Sequence, residues 1–153
     1  MTSLWTDGDF RDEFENSVAI ALIYSACDTT SCCDEGWTKA GDKKCFKFID
    51  VWTYAKDHCS SSELARIENR EENDIAQSLI PSNVHSASLG FKRPFNFPSG
   101  FTRWNNGEPN GSGIPTGTPY EACVEMYRSS GLWNDVSCWI ALPAICSKPC
   151  RQK

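Results

Sequence analysis

Oxygen-bearing side chains gather in the second half of this 153-residue chain at spacings that suit a hard cation. Glu108-Pro109-Asn110 places a carboxylate and an amide on either side of a proline. Residues two apart in extended backbone point the same way, and a cis peptide before Pro109 would turn both side chains inward more sharply. Glu121 stands two residues before Cys123, while Asn134 and Asp135 come directly after Trp133 and precede Cys138. A bond between Cys123 and Cys138 would bring Glu121 close to Asn134 and Asp135. The candidate site is then Glu108, Asn110, Glu121, Asn134 and Asp135. Calcium takes about 6–8 oxygen ligands, so these five side chains and one backbone carbonyl leave room for water or for another molecule's hydroxyls. Three carboxylates gathered without a cation repel one another, so the site is expected to need its metal for order. Each asparagine can donate N–H to a guest while its oxygen faces the ion. Taken alone, Glu-Pro-Asn reads as a surface turn and Trp-Asn-Asp as a strand end. Their joint occurrence around two cysteines carries the reading.

Other chemistries find less support. The two histidines, His58 and His85, stand in no Ser/His/Asp or Cys/His arrangement, and no glycine loop suits a phosphate, so no enzyme is expected. Net charge is −5 and basic residues are scattered, which argues against nucleic acid as a partner.

The elements that must position the site read as α+β. Residues 44–48 alternate in the strand manner. Residues 53–60 fit a helix, with Trp52, Ala55 and Cys59 on one face. Asn69 with Glu72 three residues on resembles a capping box, Ile75, Ala76, Leu79 and Ile80 continue at helical spacing, and Pro81 stops the run. From Pro81 to Pro119 the chain is rich in Gly, Pro, Asn and Ser and reads as a long loop region. Strands are expected over 122–127, 132–139 and 144–146. Residues 1–26 hold no cysteine and form a leader or extension. Their apolar run, Val18 to Tyr24, is too short to span a bilayer, and acids precede it where a signal peptide wants positive charge. The domain proper is expected over 27–150.

Nine cysteines with no C-x₂-C pair point to disulfides rather than zinc, and hence to a secreted, extracellular protein. An odd count leaves at least one thiol free or bonded to another chain.

These motifs together resemble the C-type lectin-like domain in its long form. Cys33-Asp34-Glu35-Gly36-Trp37 and Cys45-Phe46 look like its N-terminal hairpin. Trp52-Thr53-Tyr54-Ala55 with Cys59 resembles its first helix, and Leu64-Ala65-Arg66-Ile67 with Glu71-Glu72-Asn73 the approach to its second. Leu89-Gly90 is similar to part of its Trp-Ile-Gly-Leu. The strongest likeness lies in Trp104-Asn105-Asn106-Gly107-Glu108-Pro109-Asn110, Glu121-Ala122-Cys123-Val124-Glu125-Met126 and Leu132-Trp133-Asn134-Asp135-Val136-Ser137-Cys138. The resemblance covers residues 33–148. It implies two helices, small antiparallel sheets, long loops and the disulfides Cys33–Cys45, Cys59–Cys146 and Cys123–Cys138. Cys27, Cys32 and Cys150 are left over; Cys150 could pair with Cys32 or Cys27, and the third could link chains in a homo-oligomer. The resemblance further implies that Glu108, Asn110, Glu121, Asn134 and Asp135 hold one calcium ion to which two vicinal sugar hydroxyls bind, the first four also bonding the sugar. Glu-Pro-Asn goes in that family with mannose-type sugars, whose 3- and 4-hydroxyls are equatorial. The expected partners are glycans or glycoproteins. The rival within the same fold is a calcium-independent protein-binding or ice-binding module.

Two departures from the family pattern bear on this. No acid lies between Leu89 and Trp104, and Gly111 and Ala122 stand where the auxiliary calcium site has acids, so one ion is expected. The stretch 111–119 is longer than usual beside the sugar site. Asn110-Gly111-Ser112 is also formally a glycosylation sequon, and modification there would remove a ligand, so active protein is expected to be unmodified.

Overall fold

The computed structural model describes residues 32–54, 59, 61–111 and 121–151. Alternation at Lys44 and beyond produces a strand longer than expected, β2 (Lys44–Thr53), paired through a tight turn with β1 (Thr38–Ala40). Next come β3 (Glu63–Leu64), α1 (Arg70–Leu79), β4 (Ser86–Lys92), β5 (Glu121–Tyr127), β6 (Trp133–Ser137) and β7 (Leu142–Pro149). The strands form one seven-stranded sheet in the order β1-β2-β7-β4-β5-β6, with β3 pairing β7. The expected α+β class fits, with the strands joined in one sheet. A single parallel contact, Ser88 opposite Ala144, joins the β4–β5–β6 ladder to β7 and makes the sheet mixed. The first five residues of β7 are all buried, as befits a strand covered on both faces.

Helix α1 begins as its sequence predicts. Asn69 Oδ1 accepts the Glu72 N–H at 2.9 Å. The Glu72 carboxylate turns back to accept the N–H of Glu68 at 2.7 Å, one residue before the cap, and pairs with Lys44 at 3.1 Å. The helix expected over 53–60 does not begin there. Trp52 and Thr53 are the last residues of β2, Trp52 is exposed, and 55–58 and 60, with His58 among them, lie outside the described residues.

The long loop expected from Pro81 to Pro119 is interrupted by β4, a buried strand. It carries no apolar alternation, because Ser86, Ala87 and Ser88 are small or polar yet buried in the sheet. Gly90 in this strand has a packing reason: a Cβ there would lie 2.3 Å from the Leu64 carbonyl oxygen, and its N–H donates to Ala65 O at 2.8 Å.

The core lies between α1 and the sheet and centres on Trp133, which is fully buried. Its indole N–H donates to Asn73 Oδ1 at 2.8 Å, and Asn73 in turn donates to the Gly131 carbonyl at 3.1 Å, so the buried polar groups of both are satisfied. Four disulfides, Cys32–Cys150, Cys33–Cys45, Cys59–Cys146 and Cys123–Cys138, bridge Cα atoms 5.1, 5.7, 5.8 and 5.1 Å apart. Cys32 and Cys150 are bonded to each other, so neither is free to link chains; Cys27 lies outside the described residues. The division expected between 1–26 and 27–150 also begins outside them, and the compact unit that is described starts at Cys32.

Candidate functional site

Trp133 does more than fill the core, because its backbone anchors the loop that carries the site. The segment 103–105 runs parallel to the start of β6: Trp133 N donates to Arg103 O, and Asn105 N to Trp133 O, each at 2.8 Å. Trp104 packs edge-on against Trp133, with ring centroids 5.9 Å apart. A turn closed by Glu108 N on Asn105 O at 3.0 Å then delivers the Glu-Pro-Asn motif beside Asp135. The Glu108–Pro109 peptide is cis.

Asp135 is fully buried and organises the loop. Its Oδ1 accepts the Asn110 N–H at 3.0 Å and its Oδ2 the Gly111 N–H at 2.8 Å. Gly111 takes φ +63°, a left-handed conformation that glycine adopts without strain. Glu108 lies along the same loop, accepting from the Asn110 backbone N–H at 3.0 Å and from its side-chain amide at 3.1 Å. Burial, and next the neighbouring Asp135, push the Glu108 carboxyl above its usual range.

A residue outside every site motif of the sequence joins this group at Asp135. Arg93 Nη2 meets Asp135 Oδ2 at 2.6 Å. Its Nε reaches the Glu121 carbonyl at 3.3 Å, its guanidinium carbon lies 4.6 Å from the Phe95 ring centroid, and its backbone N–H bonds Ala122 O at 2.8 Å. The stretch from Leu89 to Trp104 lacks acids and carries three basic residues, Lys92, Arg93 and Arg103, and no sequence signal separates Arg93 from the other two.

The five expected ligands are therefore placed unequally. Glu108, Asn110 and Asp135 form one hydrogen-bonded group. Glu121 opens β5 opposite Ser137 and joins that group through its carbonyl and Arg93. Asn134 donates its amide to Glu125 Oε1 at 3.0 Å, and the other oxygen of Glu125 takes the Ser86 hydroxyl at 2.5 Å. Glu125, buried in β5, is a second residue that the site motifs do not single out. Among the described residues the carboxylates Glu108, Glu121 and Asp135 do not all bring an oxygen within 4.8 Å of one another; the four cysteine sulfurs that do so belong to two disulfides. By ligand type the site fits a calcium ion, since Glu108, Asn110 and Asp135 all carry hard oxygens and are joined by hydrogen bonds, and negative charge exceeds positive. The approach to Asp135 Oδ2 is held by a guanidinium. His85 has no part in this group: it stacks edge-on with Tyr127 at 5.3 Å.

Residues 49–148 match the profile of the Lectin C-type domain. The low affinity immunoglobulin epsilon Fc receptor of Mus musculus is 29% identical over an alignment of 148 positions that covers 87% of this chain; the chain spans only 43% of that receptor. Among solved structures, the human scavenger receptor C-type lectin carbohydrate-recognition domain superposes with a TM-score of 0.65 at 24% identity, covering 76% of this chain and 98% of that one. The cow carbohydrate-recognition domain of CD23, solved in the presence of a GlcNAc2Man3 oligosaccharide, gives a TM-score of 0.62 at 24% identity over 78% of this chain and 97% of that one. With a family profile spanning most of its length and the fold shared by these domains, the chain belongs to the C-type lectin domain family, which is a family of lectin and receptor domains rather than of enzymes.

Proposed function

We propose that this domain is a non-enzymatic, extracellular carbohydrate-binding module. It takes glycans or glycoproteins of mannose type through one calcium ion held by Glu108, Asn110, Glu121, Asn134 and Asp135. The observation that carries the reading is the convergence of Glu108, Asn110 and Asp135, three oxygen-bearing side chains from two separate segments, in one hydrogen-bonded group. When bound, calcium supplies a Lewis-acidic centre for two sugar hydroxyls. The chain's own part is geometric: Asp135 fixes the Asn110 and Gly111 backbone, while Glu108 accepts a hydrogen bond from a hydroxyl and the Asn110 amide donates one. Glu121 and Asn134 complete the set from β5 and β6. The oligosaccharide present with the cow CD23 domain supports a mannose-containing ligand. A single exposed site is expected to bind a monosaccharide weakly, on the order of 1 mM or about −4 kcal/mol, so useful capture needs several sites on one assembly.

The test is passage over mannose-agarose and galactose-agarose with calcium and then with chelator. Retention on mannose that is lost with chelator is expected. Retention indifferent to chelator would sink the calcium reading. A second reading, a calcium-independent protein-interaction module, is favoured by one observation, the guanidinium of Arg93 on Asp135. It predicts no retention on either resin and no response to calcium.

A further inference from the structure

Arg93 is held from four directions, through its backbone on Ala122, its Nε on Glu121, its Nη2 on Asp135 and its guanidinium plane beside Phe95. It passes beside Gly111, where a Cβ would already lie 3.4 Å from Nη2. Asp135 is fully buried, and a buried carboxylate needs a partner for its charge. Calcium ligation requires an oxygen at about 2.3–2.6 Å from the ion. A guanidinium nitrogen 2.6 Å from Asp135 Oδ2 occupies the space such an ion would need at that oxygen, and two positive charges at that spacing repel. The contact from Nε to the Glu121 carbonyl, at 3.3 Å, is longer than that from Nη2 to Asp135.

We propose that Arg93 is a resident cation of this site: its guanidinium holds Asp135 in the ion-free domain and must withdraw before a divalent ion can bind there, so it sets the calcium affinity. The proposal rests on the calcium reading above. It makes the ion-free loop one held by Arg93 on Asp135 rather than one scattered by repulsion among carboxylates. It also makes calcium binding an exchange of one cation for another, with the Arg93 side chain as the moving part.

The experiment uses the full chain with its disulfides formed, and the variants Arg93→Met, which keeps the apolar stem, and Arg93→Lys, which keeps the charge. Calorimetric titration with calcium alone is expected to show Arg93→Met binding about tenfold tighter than wild type or more, with Arg93→Lys in between. In chelator, Arg93→Met is expected to melt at a lower temperature than wild type, and calcium should close the gap. In the wild-type chain the Arg93 Nε–H resonance is expected to shift on adding calcium. This readout stands if a variant fails to fold. Wild type that takes up calcium and releases sugar with chelator, beside an Arg93→Met of unchanged calcium affinity, would overturn the proposal and leave the calcium reading standing. An Arg93 resonance unmoved by saturating calcium overturns it as well. If no chain takes up calcium and sugar retention ignores chelator, the calcium reading falls and this proposal with it.

Discussion

The carboxylates at two places in this domain are treated in opposite ways. Around the Cys32–Cys150 and Cys33–Cys45 bonds, Asp34 pairs with both Lys148 and Arg151, and Lys148 also lies 4.3 Å from the Trp37 ring centroid. The hydrogen bond from Lys148, opposed by some desolvation and aided by the charge of Arg151, holds the Asp34 carboxyl below its usual range. At the loop site the Glu108 carboxyl is pushed above its usual range by burial and by Asp135. The same side-chain chemistry thus meets a surplus of cation in one place and a shortage in the other. The braced end is complete within the chain: Cys150 N bonds Lys43 O at 2.8 Å and Arg151 N bonds Cys32 O at 2.9 Å. At the loop site the Arg93 guanidinium pairs with Asp135, while Glu108 takes its hydrogen bonds from Asn110. A region short of positive charge is one that gains when a cation arrives from outside.

The comparison is broken most forcefully at Asp135. Replacing it with alanine removes the acceptor for Asn110 N and Gly111 N and strands Arg93 without its buried partner. Breaking a buried charged pair on one side costs about 3–5 kcal/mol, and that loss is expected in urea unfolding with chelator present. A loss under about 1 kcal/mol would mean that the loop does not depend on this carboxylate, and that the site is no more demanding electrostatically than the braced end.

The braced end can be opened by changing Cys32 and Cys150 together to serine. Their sequence separation of 118 would by itself imply close to 5 kcal/mol in the chain-entropy account. However, Cys33–Cys45 and Cys59–Cys146 already tie the same ends of the chain, so the extra loop closed is only on the order of 20 residues, worth about 3 kcal/mol. Urea unfolding should show that smaller loss, and calcium titration of the variant should match wild type. An altered calcium affinity would show that the two regions are coupled and that treating them separately is mistaken.

How far each region is legible in the sequence depends on the range of the interactions involved. The cap at Asn69, the stop at Pro81 and the alternation at 44–48 are local and readable. Strand β4 is not, because Ser86 and Ser88 are polar residues buried only by the sheet around them. The single sheet is not, because its joining contact pairs Ser88 with Ala144 across more than fifty residues of chain. Among the candidate ligands, Glu108, Asn110 and Asp135 stand out by type and motif, and hydrogen bonds join them. Arg93 and Glu125 are not, since nothing in their own surroundings announces that a guanidinium reaches Asp135 or that a carboxylate takes the Asn134 amide. Motif reading finds residues by type and spacing, whereas their partners come from packing.

The mildest way to sharpen the comparison is through pH at Asp34. Its folded-state carboxyl gives up its proton more readily than the ordinary value of 3.8, because Lys148 and then Arg151 favour the charged form. As pH falls, the unfolded chain takes up this proton before the folded one does. The stability that Asp34 contributes is therefore complete above about pH 5, begins to fade near the ordinary value, and is gone once pH has dropped through the lower folded value. Asp34→Asn should melt slightly below wild type at pH 7, by about 2 °C, and the two melting curves should converge as pH falls to about 2. The gap at pH 7 should also narrow in about 1 M salt, since the partner Arg151 is largely exposed and screening acts on such pairs. A gap that persists unchanged at acid pH would show that Asp34 acts by packing rather than by charge. The contrast with Glu108, a carboxyl displaced in the opposite direction, would then lose one of its two terms.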